Sequence, residues 1–127
     1  MTRKAIQTDQ APAAIGPYSQ AIQVGNTLYL SGQLGLDPAT GKLVNGGVAA
    51  QATQALKNVQ AICAAAGFTL ADVVQVQVFM ANIDDFGTVN GIYKEFFKEP
   101  YPARAAFGVA ALPAGGAVEI LAVALKN

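Results

Sequence analysis

The sequence predicts an α+β domain in which a mixed six-stranded sheet is covered on one face by two helices. Segments with the two-residue alternation of strands and segments with the 3.6-residue periodicity of helices follow one another in blocks. Their order is three strands, a helix, a strand, a helix and two strands. No internal repeat, linker or low-complexity segment interrupts this order, so residues 1–127 are interpreted as one domain.

The first three strands are predicted before residue 35. Residues 5–7 form a short strand, and residues 21–24 and 28–33 form a hairpin around a three-residue turn at 25–27. Gly32 lies inside the third strand, where a glycine often marks a bulge or a point at which a ligand approaches the backbone.

Residues 48–66 give the clearest helical pattern, and Gly67 stands where a C-terminal glycine is expected. The polar residues of this segment, Asn58 among them, are predicted to lie mostly opposite the apolar stripe. Cys63 falls on that stripe, so we interpret it as a buried packing residue and not as a nucleophile. The apolar stripe consists of Val48, Ala52, Leu56, Val59, Ile62 and Ala66.

Residues 73–80 predict a strand in which Val74, Val76, Val78 and Met80 face one way. A second helix is predicted to begin after Asp84 or Asp85, either of which is a good N-cap, and to extend to about Lys98 before Pro100 stops it. The stripe of this helix comprises Phe86, Val89, Ile92, Tyr93, Phe96 and Phe97.

Asn90 lies beside the stripe of the second helix. It is either an ordinary exposed amide or a side-chain donor to a site.

Two apolar strands, joined by a Pro/Gly turn at 112–116, end the chain. Between residues 100 and 125 only Arg104 and Glu119 are charged. Alternation places Arg104 on the same strand face as Ala106 and Gly108, whose small size leaves room around the guanidinium. The register between the two strands is unknown, so spacing alone does not bring Arg104 and Glu119 together.

The two isolated charges have two explanations. They form a buried structural ion pair, or they belong to a pocket in which Arg104 binds an anion and Glu119 handles water or a proton. Arginine suits the second role because its planar guanidinium matches a carboxylate with two parallel hydrogen bonds.

Tyr18 follows the rigid Gly16-Pro17 pair. Its ring either covers the core as an aromatic plug or presents the hydroxyl to a cleft.

The composition excludes several kinds of function. Eight basic and eight acidic residues give a net charge of zero, which argues against electrostatic binding of nucleic acid. The absence of histidine excludes Ser-His-Asp and Cys-His nucleophiles and histidine-containing zinc sites. The glycine-rich segment 41–48 lacks the lysine and the Ser/Thr of a phosphate-binding loop.

The composition also predicts the oligomeric state and the cellular compartment of the protein. Only 13% of the residues are charged, against roughly 25% in an average soluble domain, which favours a homo-oligomer with apolar interfaces. The single cysteine favours a reducing, cytoplasmic compartment. The N-terminus has no apolar segment typical of a signal peptide, and no apolar run approaches the length of a membrane span.

Over essentially its whole length the chain resembles the RidA (YjgF) family of reactive intermediate deaminases. The resemblance depends on the combination of several segments. They are Ala11 through Gly16-Pro17-Tyr18 to Gln20, Ser31-Gly32-Gln33, Phe86 through Asn90 to Tyr93, Pro102-Ala103-Arg104, Ala111-Leu112-Pro113 and Val118-Glu119-Ile120.

This resemblance implies a chorismate-mutase-like fold assembled as a homotrimer, with ligand sites in clefts between subunits. It also implies the hydrolysis of enamines and imines such as 2-aminoacrylate, 2-iminopropanoate and 2-iminobutanoate to 2-oxo acids and ammonia, without metal or organic cofactor. Arg104 would bind the substrate carboxylate together with Asn90 and with backbone groups near Gly32 and Ala106. Glu119 would orient the attacking water, with Tyr18 nearby.

One position departs from many bacterial members, which have cysteine two residues after the arginine where this chain has Ala106. A mechanism that needs a thiol there is excluded, whereas a contribution from the backbone N–H is retained. Two other functions stay open, namely a non-catalytic module that binds a small carboxylate and a chaperone-like trimer. A ribonuclease role fits poorly with zero net charge and no histidine.

Overall fold

Residues 2–127, which the computed structural model describes, form the expected mixed sheet with two helices. The helices are α1 (Gly47–Ala65) and α2 (Phe86–Phe96). The strands are β1 (Arg3–Ile6), β2 (Ala21–Val24), β3 (Thr27–Leu30), β4 (Gln33–Leu34), β5 (Val73–Met80), β6 (Ala103–Gly108) and β7 (Val118–Leu125).

The sheet contains the predicted six strands in the order β1-β2-β3-β7-β5-β6. Strands β5 and β6 are parallel, and the other neighbours are antiparallel. A seventh strand, the two-residue β4, also pairs with β7. It is separate because the predicted third strand is interrupted: Tyr29 pairs with Val123, but Gln33 pairs with Ile120, which leaves one extra residue around Gly32. The bulge expected at Gly32 is therefore confirmed.

The helices cover one face of the sheet. On β5, Val76, Val78 and Met80 are buried beneath them, whereas Gln77 and Phe79 point to the opposite face. That opposite face is partly open to solvent and, apart from Gln75, Gln77 and Glu119, largely apolar. It carries Tyr29, Phe79, Phe107, Leu121 and Val123, and the Phe79 and Phe107 rings stack with their centroids 5.9 Å apart.

Three further details of the strands differ from the sequence prediction. Strand β1 covers Arg3–Ile6 and not residues 5–7. Val24 pairs with Thr27, so the first hairpin turn has two residues and Thr27 belongs to β3. The register of β5 shifts between Val73 and Gln75. Val73 is consequently buried and Val74 is 46% exposed, the reverse of what strict alternation predicts, because a bulge adds one residue to the count.

Helix α2 is shorter than predicted. It begins at Phe86, directly after a 3₁₀ turn at Ile83–Asp85, and it ends at Phe96, before Lys98. Asp85 occupies the N-cap position, but its side chain makes no capping hydrogen bond. The side-chain oxygen of Asn82 instead accepts a hydrogen bond from the Asp84 N–H at 3.0 Å, so the cap stabilises the 3₁₀ turn.

Asn58 on α1 is fully buried, although the sequence pattern placed it on the polar side. Its Nδ2 donates to the carbonyl oxygens of Leu34 at 3.1 Å and Leu36 at 2.9 Å. Its Oδ1 accepts from Nε2 of Gln54 at 2.8 Å. Asn58 therefore fixes β4 and the following loop to the helix, and its polarity is retained for those backbone partners.

We expect Asn58→Ala to lower the free energy of unfolding by ~2–4 kcal/mol, because it removes the donor from one buried and one partly buried carbonyl group. Urea denaturation of both proteins measures the difference. Gln60→Ala is the matched control, since Gln60 is an exposed amide on the same helix, and we expect a change within about 0.5 kcal/mol. Equal effects of the two substitutions would contradict this role of Asn58.

Cys63 is buried, as predicted. Burial raises the pKa of its thiol to about 12, and the negative charge of Asp72 acts in the same direction. The thiol is therefore protonated at neutral pH, which is unsuited to a nucleophile. Within residues 2–127, neither helix is both long and apolar enough to span a bilayer.

Candidate active site

Arg104 lies on β6, the strand at one edge of the sheet. It pairs with Val76 in parallel register, so its side chain is on the face that the helices cover. Nη1 donates a hydrogen bond to Oδ1 of Asn90 on α2 at 2.7 Å. Arg104 is exposed and Glu119 lies on the other sheet face, so the buried ion pair is wrong as an explanation of these two charges.

The guanidinium also contacts two aromatic rings of α2. Its central carbon lies 4.7 Å from the ring centroid of Tyr93 and 5.4 Å from that of Phe86, both within cation–π distance. Burial raises the pKa of Tyr93, and the positive charge of Arg104 opposes that effect. Beside these groups is an open cleft of about 380 Å³, lined by Asn90, Tyr93, Lys94, Tyr101, Pro102 and Arg104.

Glu119 lies at the start of β7, opposite Phe79 of β5 and Leu34 of β4. These pairings place its side chain on the sheet face that the helices leave open. It is half-buried, and the loss of solvent raises the pKa of its carboxyl above the usual glutamate range.

Gly32 lies directly against this carboxylate. A Cβ atom at position 32 would be 2.8 Å from Oε2 of Glu119, which is closer than real Cβ atoms come to such an atom. The bulge and the missing side chain at position 32 therefore make the space in which the Glu119 carboxylate lies.

Tyr18, Gly32 and Glu119 line a second cleft of about 470 Å³. Tyr18 is 52% exposed, so its ring does not cover the core, and its hydroxyl accepts a hydrogen bond from the Ile15 N–H at 3.3 Å. The loop that carries Tyr18 is held by Gln20. This buried side chain accepts from the Thr8 N–H at 2.8 Å and donates to the carbonyl oxygen of Pro12 at 2.8 Å.

The six predicted site residues fall into two groups on opposite faces of the sheet. Tyr18, Gly32 and Glu119 share one cleft. Arg104 and Asn90 share the other, with Ala106 two residues farther along β6 on the same face as Arg104. Within one chain the residues of each group are therefore close together, but the two groups are separated by the sheet.

Tyr93 and Phe86 are the contacts of Arg104 that the sequence reasoning missed, since both were assigned only to the apolar stripe. A usable signal was present. Phe86, Asn90 and Tyr93 are spaced four and three residues apart, which places them on one face of a helix.

Comparisons with known proteins identify the family of the chain. The family model described as Endoribonuclease L-PSP matches residues 8–126. The 2-iminobutanoate/2-iminopropanoate deaminase of Bos taurus is 57% identical over 127 residues, which cover 100% of this chain and 93% of that protein. The crystal structure of RidA from an Antarctic Psychrobacter bacterium is 53% identical, with a TM-score of 0.94 and coverage of 97% of this chain and 99% of that chain. The crystal structure of E. coli TdcF with bound serine is 41% identical, with a TM-score of 0.92 and coverage of 98% and 99%.

Proposed function

The chain belongs to the Endoribonuclease L-PSP (YjgF/RidA) family, and on this premise we propose that it is a deaminase of reactive enamines and imines. Its substrates are 2-aminoacrylate with its tautomer 2-iminopropanoate, and 2-iminobutanoate, and its products are 2-oxo acids and ammonia. The observation that carries this function is the 57% identity, over the full chain, to a protein named 2-iminobutanoate/2-iminopropanoate deaminase.

In the proposed reaction Arg104 binds the substrate carboxylate. Asn90 occupies one N–H of the guanidinium, and four N–H groups remain for the ligand. Because β6 is at the edge of the sheet, backbone N–H groups near Ala106 have no neighbouring strand on that side and are available to the same carboxylate. The serine bound to E. coli TdcF is itself a small amino acid with a carboxylate, which supports a ligand of this class.

Glu119 acts on the water in this proposal. Its carboxylate accepts a proton as the water oxygen bonds to the C=N carbon, and the substrate nitrogen gains a proton. As the resulting carbinolamine collapses, its hydroxyl loses its proton and its amino nitrogen gains one. The C–N bond breaks, the C=O bond of the 2-oxo acid forms, ammonia leaves and Glu119 is again ionised. Much of the rate acceleration comes from holding carboxylate and water in place. Tyr18 lines the same cleft as Glu119, so we place its side chain beside the reacting water.

A coupled assay tests the function. A pyridoxal-phosphate-dependent dehydratase supplied with threonine or serine generates the imine, and 2-oxo acid release is followed with and without this protein. We expect faster release, whereas a rate equal to that with an inert protein would refute the deaminase function. If the protein instead binds a small carboxylate without accelerating release, the non-catalytic binding module is the correct function.

We expect Gly32→Ala to lower kcat/KM about tenfold or more with little change in thermal stability. The added Cβ displaces the Glu119 carboxylate, and small errors in the position of a catalytic group cost about this much. Gly87→Ala is the control, since a Cβ at position 87 meets open space on α2, and we expect full activity there. Wild-type kinetics in Gly32→Ala would show that the contact between Gly32 and Glu119 does not matter for the reaction.

We also propose that the complete site forms between subunits of a homotrimer. The support is the placement of Arg104 and Glu119 on opposite sheet faces, which one chain cannot reconcile, and the open apolar face carrying Tyr29, Phe107 and Leu121. Such a face favours association with further copies of the chain. Light scattering during gel filtration measures the assembly.

Mixed assemblies test the shared site more directly. Co-expression of Arg104→Ala chains with Glu119→Gln chains should restore about a quarter of wild-type activity, since about one interface in four then combines an intact arginine with an intact glutamate. Activity no greater than that of the two separate variants would exclude a site shared in this way.

We further propose that the protein occurs in a reducing, cytoplasmic compartment, because its single cysteine is buried and forms no disulfide.

A further inference from the structure

One face of α2 provides three contacts to Arg104. Asn90 accepts its hydrogen bond, and the rings of Tyr93 and Phe86 lie 4.7 Å and 5.4 Å from the central guanidinium carbon. The neighbours of Arg104 on its own strand face, Ala106 and Gly108, are too small to restrain it. The orientation of this exposed side chain is therefore determined by the helix.

We propose that Tyr93 and Phe86 are positioning residues that fix the plane of the Arg104 guanidinium for the substrate carboxylate, an inference that rests on the proposed function. The hydrogen bond that Arg104 Nη1 donates to Asn90 Oδ1 fixes one nitrogen but leaves the guanidinium free to turn about that contact. Contacts with aromatic rings restrict that rotation, because a guanidinium stacks favourably on a ring face. Two parallel hydrogen bonds to a carboxylate require a defined plane.

Tyr93 is itself rigidly held. It is 3% exposed, and its ring lies 4.6 Å from that of Phe97. Within the described chain its hydroxyl is buried without a hydrogen-bond partner. An unpaired buried hydroxyl adds nothing to stability. The ring, and not the hydroxyl, is consequently the part of Tyr93 that acts on Arg104.

Kinetics distinguish ring from hydroxyl. We expect Tyr93→Leu to lower kcat/KM in the imine assay about tenfold, and Phe86→Leu to lower it about threefold, in line with the strength of cation–π contacts. Tyr93→Phe keeps the ring and should remain within about twofold of wild type. Val89→Ala is the matched control: Val89 is buried on the same helix, so we expect a lower Tm without a change in kcat/KM.

A double-mutant cycle separates positioning from a general structural effect. Lysine has no plane to orient, so in the Arg104→Lys background Tyr93→Leu should cost less than about twofold. The same tenfold loss in both backgrounds, or wild-type kinetics in Tyr93→Leu, would overturn the proposal. If Tyr93→Leu fails to fold, the more exposed Phe86→Leu carries the same cycle.

NMR provides a readout that does not depend on activity. The order parameter of the Arg104 Nε–Hε bond should be high in wild type and in Tyr93→Phe and should fall in Tyr93→Leu. An unchanged order parameter in Tyr93→Leu would refute the positioning role. Absence of imine hydrolysis by the wild-type protein, with the order parameter falling as expected, would instead refute the proposed function.

Discussion

Arg104→Lys is expected to lower kcat/KM for 2-iminopropanoate by about 10- to 100-fold, although the positive charge is kept. An ammonium is a point charge and cannot form the two parallel hydrogen bonds that a guanidinium makes with a carboxylate. The loss corresponds to one charge-assisted hydrogen bond, worth ~1.5–3 kcal/mol. Arg104→Ala removes both bonds and the charge, so we expect a loss of at least about 10³-fold.

The dehydratase-coupled assay measures the activity of both variants. A loss of activity can be separated from a loss of folding because of where Arg104 lies. Arg104 is exposed on an edge strand, so neither substitution should change the Tm by more than a few degrees. Lys57, an exposed cation on α1 that lines neither cleft, is the control for loss of a cation, with activity expected to be retained in Lys57→Ala. Full activity in Arg104→Lys would remove the basis for carboxylate binding by Arg104.

Glu119→Gln is expected to lower kcat by about 10²- to 10⁴-fold, the range attributed to a general base. Glutamine has nearly the same shape and keeps a hydrogen-bond acceptor for the water, but it cannot accept the proton. KM should change less than kcat, since the carboxylate of the substrate is bound elsewhere. A kcat within a few-fold of wild type would show that the water needs no base at this position.

The pH dependence of wild type follows from the raised pKa of Glu119. The base must be ionised, so kcat should fall as the pH decreases through that raised value, on the alkaline side of an ordinary glutamate. This acidic limb should be missing from the residual activity of Glu119→Gln. A limb that persists in the variant would belong to another group.

Stability should vary with pH in the opposite direction. Since burial raises the folded-state pKa, the folded protein holds the Glu119 proton more tightly than the unfolded chain does. The stability from this proton is complete below the usual glutamate pKa and is lost as the pH rises through the folded value. Glu119→Gln should therefore gain stability relative to wild type across that window, which urea titrations at several pH values measure.

The elements of the fold could be predicted because their patterns are local. The helix predicted at 48–66 is α1 (Gly47–Ala65), and the strand at 73–80 is β5, since periodicity depends only on neighbouring residues. The predictions were wrong where one added residue changes which way a side chain faces, or where a partner distant in sequence determines its burial. The bulge at Val74 reverses the faces at the start of β5, and the carbonyl groups of β4 and its loop give the buried Asn58 its partners.

The candidate site could be predicted residue by residue but not as an arrangement. Two lone charges in apolar strands indicated Arg104 and Glu119, and alternation correctly placed Arg104 on the same strand face as Ala106. The relation between the two strands required the register of both against β5, which no pattern in the sequence supplies. Only those pairings reveal that the two charges lie on opposite sheet faces.

The deeply buried cysteine has a practical consequence. This chain carries one thiol, protonated at neutral pH and closed to solvent on the buried face of α1. A maleimide or another electrophile can reach Cys63 only when the packing between helix and sheet opens. The rate at which such a reagent labels the native protein is thus a built-in reporter of large-scale opening, one that needs no engineered tag.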